Sequence, residues 1–363
     1  MIKFYDLNKL DKFIHNKIFK NIKKNVTKGD YILGENVNKF EQKFSNYVGA
    51  KYGVGCANGT DALFLSLKAL NLPRNSEVII PAMTYCSTAF AVINAGLKPV
   101  LVDVEKNTPL IDLNKLKDKI TENTRVIMPV HLYGSIVDLD IIKKIIKNHK
   151  NKIYILDDCA QAHGAQLKGN KKIGSNSDIS SFSLYPGKNL GAYGDAGIII
   201  TNNFKYYKIL RKLRNLGSEE KFIHDMIGFN SRLDTIQASI LNIKLDYLDK
   251  LNAKRQKIAK FYDLNIKNKK ITKLRYSKNS VYHQYVILCK KKKSLIKFFN
   301  KNNIGYGFHY PFAIHQLKIL RKMFVKQKFS NAETLAKFGI SIPIDPNLTK
   351  TQVSYIVNKI NDF

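Results

Sequence analysis

The chain has 363 residues with 44% hydrophobic, 11% aromatic and 25% charged content, which excludes a disordered polypeptide and leaves room for a large α/β domain beside a smaller one. The formal net charge of +33 raises a nucleic-acid role, but only 8 of the 61 basic residues are arginine, and the lysines are spread over helical faces such as Leu113–Lys119 and Ile141–Lys150, so no nucleic-acid partner is expected. No apolar run is long enough to span a bilayer, Met1–Asp6 lacks a signal-peptide core, and the four scattered cysteines form no C-x-x-C pair; a cytoplasmic protein with reduced thiols, no membrane partner and no metal site is expected.

From residue 52 to about 200, strand-like and helix-like segments alternate, the pattern of a mainly parallel sheet with helices on both faces. Tyr52–Cys56 predicts a strand and Asp61–Leu70 a helix. Between them Ala57-Asn58-Gly59-Thr60-Asp61 is a tight turn whose free N–H groups and helix dipole suit an anion, although Gly-Thr before a helix also serves as an ordinary cap. Glu77–Ile80 and Pro99–Val104 read as strands around the helix Ser87–Ala95. Tyr85, just past the first of them, could lay its ring face on a planar ligand or fill the core.

Arg125–Val130 and Lys152–Asp157 are strands around the helix Leu139–His149. The second strand runs into Asp157-Asp158-Cys159-Ala160-Gln161-Ala162-His163. Two acids ending an apolar strand are costly to bury unless a cation or donors meet them. An Asp there can keep a pyridine nitrogen protonated and Gln161 can donate to a ring oxygen; capping of the following segment is the alternative.

Asp178–Leu184 and Gly197–Thr201 read as strands enclosing a loop punctuated by Pro186, Gly187, Gly191 and Gly194, with Lys188 inside it. A long amine held between buried strands is poorly placed for water and well placed to become a Schiff-base nucleophile. Ser180, Ser181 and Ser183 on the preceding strand could supply hydroxyls to a phosphate cup. The series Gly191-x-x-Gly194-x-x-Gly197 precedes a strand instead of opening a helix, so a dinucleotide fingerprint fails.

Beyond the helix Lys205–Leu216, a long amphipathic helix, straight or bent, is expected from near Asp234 to about Tyr262. The pattern then changes to a strand Tyr282–Cys289, a helix Leu295–Asn302, a strand Gly305–Tyr310 and helices Asn331–Phe338 and Thr351–Asn361. A large domain over residues 1–245, including the N-terminal segment, and a small α+β domain over 246–363 are expected. Tyr282-His283-x-Tyr285 is a further candidate contact for substrate.

Phosphate turn, stacking ring, pyridinium partner and amine describe, in this order, a pyridoxal phosphate pocket. The chain resembles the DegT/StrS-type nucleotide-sugar aminotransferases, which are fold-type I, aspartate aminotransferase-like enzymes. The resemblance runs from Tyr31-Ile-Leu-Gly34 to His309-Tyr310-Pro311. It is carried by Asn58-Gly-Thr-Asp-Ala-Leu63, His131-Leu-Tyr-Gly134, Asp158-Cys-Ala-Gln-Ala-His163, Ser183-Leu-Tyr-Pro-Gly-Lys-Asn-Leu-Gly191 and Gly228-Phe-Asn-Ser-Arg-Leu-Asp-Thr-Ile-Gln237.

The resemblance implies that Lys188 holds pyridoxal 5'-phosphate covalently, that Asp158 pairs with its ring nitrogen, that Gln161 meets the ring hydroxyl and that Tyr85 stacks. It assigns Gly59, Thr60 and Ser183 to the phosphate, with Asn230 reaching the phosphate from the neighbouring subunit of a homodimer. Tyr31, Tyr185, Asn189, Arg232, His309 and Tyr310 fall at positions for substrate or amino donor. A lysine at 188, where dehydratases of the family carry histidine, implies transamination. The Tyr-Pro-Gly-Lys-Asn-Leu-Gly loop resembles members acting on 3-keto sugars, while Leu184 and Ile344-Asp345 depart from the commoner pattern. The expected reaction moves an amino group from L-glutamate to a nucleotide-linked keto sugar, dTDP-3-keto-6-deoxyhexose, for deoxyamino sugar and polysaccharide biosynthesis. A UDP-linked 3-keto N-acetyl sugar or uronate, or a non-catalytic cofactor-binding regulator, are the alternatives.

Overall fold

The computed structural model describes residues 1–7, 12–167, 169, 171–220 and 222–363. Seven short strands form the larger sheet: β1 (Tyr52–Cys56), β2 (Glu77–Pro81), β3 (Lys98–Val102), β4 (Thr124–Ile127), β5 (Tyr154–Asp158), β6 (Ile179–Ser183) and β7 (Gly197–Thr201). Their spatial order is β1-β7-β6-β5-β4-β2-β3. Only β7 runs against its neighbours; β6, β5, β4, β2 and β3 are mutually parallel. The C-terminal ends of all strands but β7 therefore open on one edge, where α/β sheets place ligands.

The apolar composition of these strands follows from burial on both faces. Along β7, Ile199 joins one core while Ile198 and Ile200 join the other, as alternation of side chains along a strand requires. The same split separates Val78 and Ile80 from Ile79 on β2. Helices Gly59–Ala69, Cys86–Asn94 and Phe204–Leu213 cover the first face, and Glu35–Val48 with Thr235–Lys244 cover the second. The caps are local chemistry: Asn58, Asp138 and Asn203 each accept a backbone N–H at the start of a helix.

Three further strands, β8 (Ile271–Lys273), β9 (Tyr285–Cys289) and β10 (Gly339–Ile342), make an antiparallel sheet packed on helices Leu248–Asn265, Lys292–Lys301 and Lys350–Asp362. The helix expected from Asp234 onward is two helices, Thr235–Lys244 and Leu248–Asn265, joined by a 3-10 turn at Leu245–Tyr247. The strand expected over Gly305–Tyr310 does not form. Ile304 and Gly305 pair with Ile2, only Gly307 bridges to Ser341, and the following residues turn toward the site. Helices Lys12–Lys28 and Glu35–Val48, and the edge strands β8 and β10, were not foreseen from the sequence. No helix of the described residues is long and apolar enough to cross a membrane. All four cysteines are free, three of them buried.

One buried ion pair ties the far side of the sheet to the site. Arg214 bonds Glu41, both nearly inaccessible, and also donates to the Gly55 carbonyl at 2.7 Å, while Glu41 accepts the Gly55 N–H at 2.7 Å. The group fixes β1 just before the Asn58 turn. Breaking a buried pair strands the remaining charge, so Glu41→Ala is expected to destabilise the fold by about 3–5 kcal/mol, measured by denaturant unfolding.

Candidate active site

A cavity of about 700 Å³ opens at the C-terminal edge of the large sheet. Its floor comes from three strand ends. β5 ends in Asp158, 4% exposed, whose carboxylate accepts the Thr88 hydroxyl at 2.8 Å and the Ala160 N–H at 3.1 Å. Burial raises its pKa, opposed by these two donors, by Lys188 and by His131. Gln161, on the turn after β5, is locked at both ends. Its Oε1 accepts the Tyr133 N–H at 2.7 Å and its Nε2 donates to the Tyr310 hydroxyl at 2.8 Å.

β1 leads into the Asn58 turn, where Asn58 caps the helix by accepting the Asp61 N–H at 2.8 Å. The N–H groups at the start of a helix lack intrahelical acceptors, so Gly59 and Thr60 present theirs to the cavity edge. A Cβ at Gly59 would lie 2.4 Å from the Cβ of Ser183, so only glycine lets the turn close against the end of β6. The Thr60 hydroxyl is 2.7 Å from that of Ser87.

Lys188 projects into the cavity from the loop between β6 and β7. The loop is tight: a Cβ at Gly191 would lie 2.4 Å from the Pro186 carbonyl oxygen. Desolvation lowers the Lys188 pKa to about 8, with Asp158 acting in the opposite sense. Below that pH the ammonium predominates and cannot attack a carbonyl; above it the free amine does. The rate at which the cofactor-free protein captures pyridoxal phosphate is therefore expected to rise through about pH 8 and then level, followed by visible absorbance.

Most of the residues singled out in the sequence meet here: Gly59, Thr60, Tyr85, Asp158, Gln161, Ser183, Tyr185, Lys188, His309 and Tyr310 all line the cavity. Tyr85 and Tyr185 are about half exposed, and the Tyr85 ring centre lies 5.3 Å from that of Tyr310. Tyr133 donates to the His309 carbonyl, and His309 Nδ1 sits 2.8 Å from the Ser341 hydroxyl.

Others are elsewhere. Asn189 does not line the cavity; its side chain turns inward, donating to Asn252 at 2.8 Å and the Val281 carbonyl at 3.0 Å and pairing with His283 at 3.1 Å. Expected at a substrate position, it instead ties the loop to Asn252, Val281 and His283. Ser180 and Ser181 are buried in the core on opposite faces of the strand: Ser181 bonds the Ala62 carbonyl at 3.0 Å beneath the helix Gly59–Ala69, and Ser180 lies 2.7 Å from the Ser177 hydroxyl on the other face. Tyr31, exposed, bonds the Val26 carbonyl at 3.3 Å, Asn230 is exposed, and Arg232 donates to Asn215 at 3.4 Å; none reaches this cavity.

Several residues escaped the sequence reading. Thr88 lies three positions past Tyr85, one helical turn from the strand end, a spacing that could have flagged it. Tyr5 and Gln284, far apart in sequence, carry no local signal. His283 lines the cavity, but Tyr282 and Tyr285 pack around Tyr276 instead. Behind Asp158, the donor atoms of His131, Asp157 and Cys159 lie within 4.8 Å of one another, a grouping that sequence spacing concealed. It is sealed in the core, and burial holds the Cys159 thiol well above its ordinary pKa.

A phosphorylated pyridine aldehyde fits this arrangement. The Gly59-Thr60 helix start and Ser183 line one side of the cavity, the buried Asp158 carboxylate suits a protonated ring nitrogen, and an amine of depressed pKa stands in the same cavity. The chain is 40% identical over its full length, and 99% of the relative's, to a dTDP-3-amino-3,6-dideoxy-alpha-D-galactopyranose transaminase of Aneurinibacillus thermoaerophilus. It is 36% identical, over 98% of each chain, to a UDP-2-acetamido-2-deoxy-3-oxo-D-glucuronate aminotransferase of Pseudomonas aeruginosa. The crystal structure of S. venezuelae DesV in complex with a ketimine intermediate superposes with a TM-score of 0.96 at 32% identity, covering 99% of this chain and 98% of that one. The chain is a fold-type I enzyme of the transaminase class, its cofactor is pyridoxal 5'-phosphate, and its relatives act on nucleotide sugars. With the family profile matching residues 12–361, the chain belongs to the DegT/DnrJ/EryC1/StrS aminotransferase family.

Proposed function

We propose that this chain transfers the amino group of L-glutamate to C3 of a nucleotide-linked keto sugar, a dTDP-3-keto-6-deoxyhexose, and works as a homodimer. The observation that carries this reading is the meeting of Lys188, Asp158, Gln161 and the Gly59-Thr60 turn in one cavity, in a chain 40% identical end to end to a transaminase forming a dTDP-3-amino sugar. Bound in such a cavity, pyridoxal phosphate supplies an electron sink and a carrier for the amino group.

The chain's own residues do the rest. Lys188 Nζ holds the cofactor and then, as a free amine, takes the proton from the α-carbon of the amino donor. Asp158, fixed by Thr88 and Ala160, keeps a proton on the ring nitrogen. Gln161, clamped between Tyr133 and Tyr310, orients the ring through its hydroxyl side. Gly59, Thr60 and Ser183 cup the phosphate at the helix start. Tyr85 covers the ring, and Tyr185, His309 and Tyr310 border the sugar.

The positions of Asn230 and Arg232 support the dimer. Both lie outside their own cavity, on a segment that also exposes Ile223 and Ile227, the latter 90% exposed. A second copy presenting that segment would bring a phosphate ligand and a guanidinium for the carboxylate of glutamate.

The test is optical. Purified protein is expected to be yellow, to lose its visible band on addition of glutamate and to regain it with a dTDP-linked 3-keto-6-deoxyhexose. A spectrum indifferent to glutamate would leave a cofactor-binding regulator in its place. Recovery with a UDP-linked keto uronate alone would reassign the substrate.

A further inference from the structure

The extended segment 230–233 lies across the end of β1 with its side chains alternating inward and outward. Ser231 and Leu233 are buried, whereas Asn230 is exposed and Arg232 half-buried. The inner pair faces β1 and the turn after it. A Cβ at Gly55 would lie 2.9 Å from the Cβ of Leu233, and the Ser231 hydroxyl oxygen accepts the Ala57 N–H at 3.2 Å. The Ser231 backbone is held as well, its N–H donating to the Arg214 carbonyl at 3.0 Å. The hydroxyl hydrogen of Ser231 goes to Asp61, whose Oδ2 accepts it at 2.7 Å.

Asp61 is the third residue of the helix Gly59–Ala69 and lines the cavity beside Gly59 and Thr60. Its own N–H is spent on the Asn58 side chain at 2.8 Å, which leaves those of Gly59 and Thr60 for a ligand. A carboxylate in the first turn is drawn to the same free N–H groups, and to the positive end of the helix that would receive a phosphate. It also repels a phosphate seated there. The chain thus carries a competitor for its own anion site. In the structure that competitor is bonded to Ser231, which stands outside the cavity lining and holds it from behind.

We propose that Ser231 is a positioning residue that restrains the Asp61 carboxylate, so that a ligand phosphate and not the chain's own acid takes the Gly59-Thr60 helix start. The inference rests on the phosphate role given to that turn above and adds the residue that keeps it open to a ligand.

The test titrates the full-length chain, freed of cofactor by dialysis, with pyridoxal phosphate and with pyridoxal, which lacks only the phosphate. The preference for the phosphorylated form is a ratio within one protein, so a general loss of stability does not imitate a change in it. Ser231→Ala is expected to cut the wild-type preference about tenfold, the worth of one hydrogen bond to a charged group. Adding Asp61→Asn to that variant keeps the side chain's shape, removes its charge and is expected to return most of the preference. An unchanged preference in Ser231→Ala overturns the restraint. So does a loss that persists in the double variant, because it would come from a loosened turn and not from a released carboxylate. A wild-type chain that binds pyridoxal as tightly as pyridoxal phosphate overturns instead the phosphate role of the turn.

Discussion

Lys188→Ala is expected to eliminate turnover and the visible band of the lysine-bound cofactor together. In the proposed reaction the side chain has two duties, covalent attachment and proton transfer, and neither falls to another cation of the cavity, because Lys188 is the only Lys or Arg among its described lining residues. The loss should therefore be complete to the limit of assay. Adding a small primary amine is expected to restore part of the proton-transfer function. A variant with full activity would remove the assignment. Lys188→Arg should fare no better, since a guanidinium does not give up its proton near neutral pH.

Asp158→Asn has the second largest expected effect. The carboxylate is buried and fixed by Thr88 and Ala160, so an isosteric amide keeps the shape and loses the charge that, in the proposed role, holds a proton on the ring nitrogen. The rate of the glutamate half-reaction is expected to fall by about three orders of magnitude, in line with the removal of one preorganised electrostatic partner. Cofactor should remain bound, because the phosphate turn and Lys188 are untouched. Stopped-flow decay of the visible band measures the rate, and phosphate content measures retention. A fall of less than about tenfold would mean that another group serves the ring nitrogen.

Much of this site was legible because its chemistry sits at strand ends. The Asn58 turn, Tyr85, the Asp158 stretch and the Lys188 loop each follow an apolar run that folds as a strand, and parallel strands carry those ends to one edge. Local pattern was enough there. It was not enough for Asn189, whose loop position looks like any other polar exposure until Asn252, Val281 and His283 close around it. Ser180 and Ser181 were misread for a related reason: the sequence shows a serine run, but not what covers each face of the strand behind its end. The helix Lys12–Lys28 was hidden by its composition. Six lysines and scattered asparagines blur its apolar stripe, and of its described apolar residues only Ile14 and Ile18 are buried, against Ile240. Gly305–Tyr310 has strand-like residues but spends its backbone on Ile2 and Ser341 instead of on a ladder. Tyr5 and Gln284 are 279 residues apart, and only tertiary structure pairs them.

The inward turn of Asn189 sets the reach of the reactive amine from a distance. Its three partners come from chain 63 to 94 residues further on, one of them in the helix Leu248–Asn265. The loop thus hangs from an anchor supplied by the C-terminal third of the polypeptide. A fragment ending before that helix would retain every residue proposed to hold the cofactor's phosphate and ring nitrogen, yet it would lose the tether that seats the neighbouring amine.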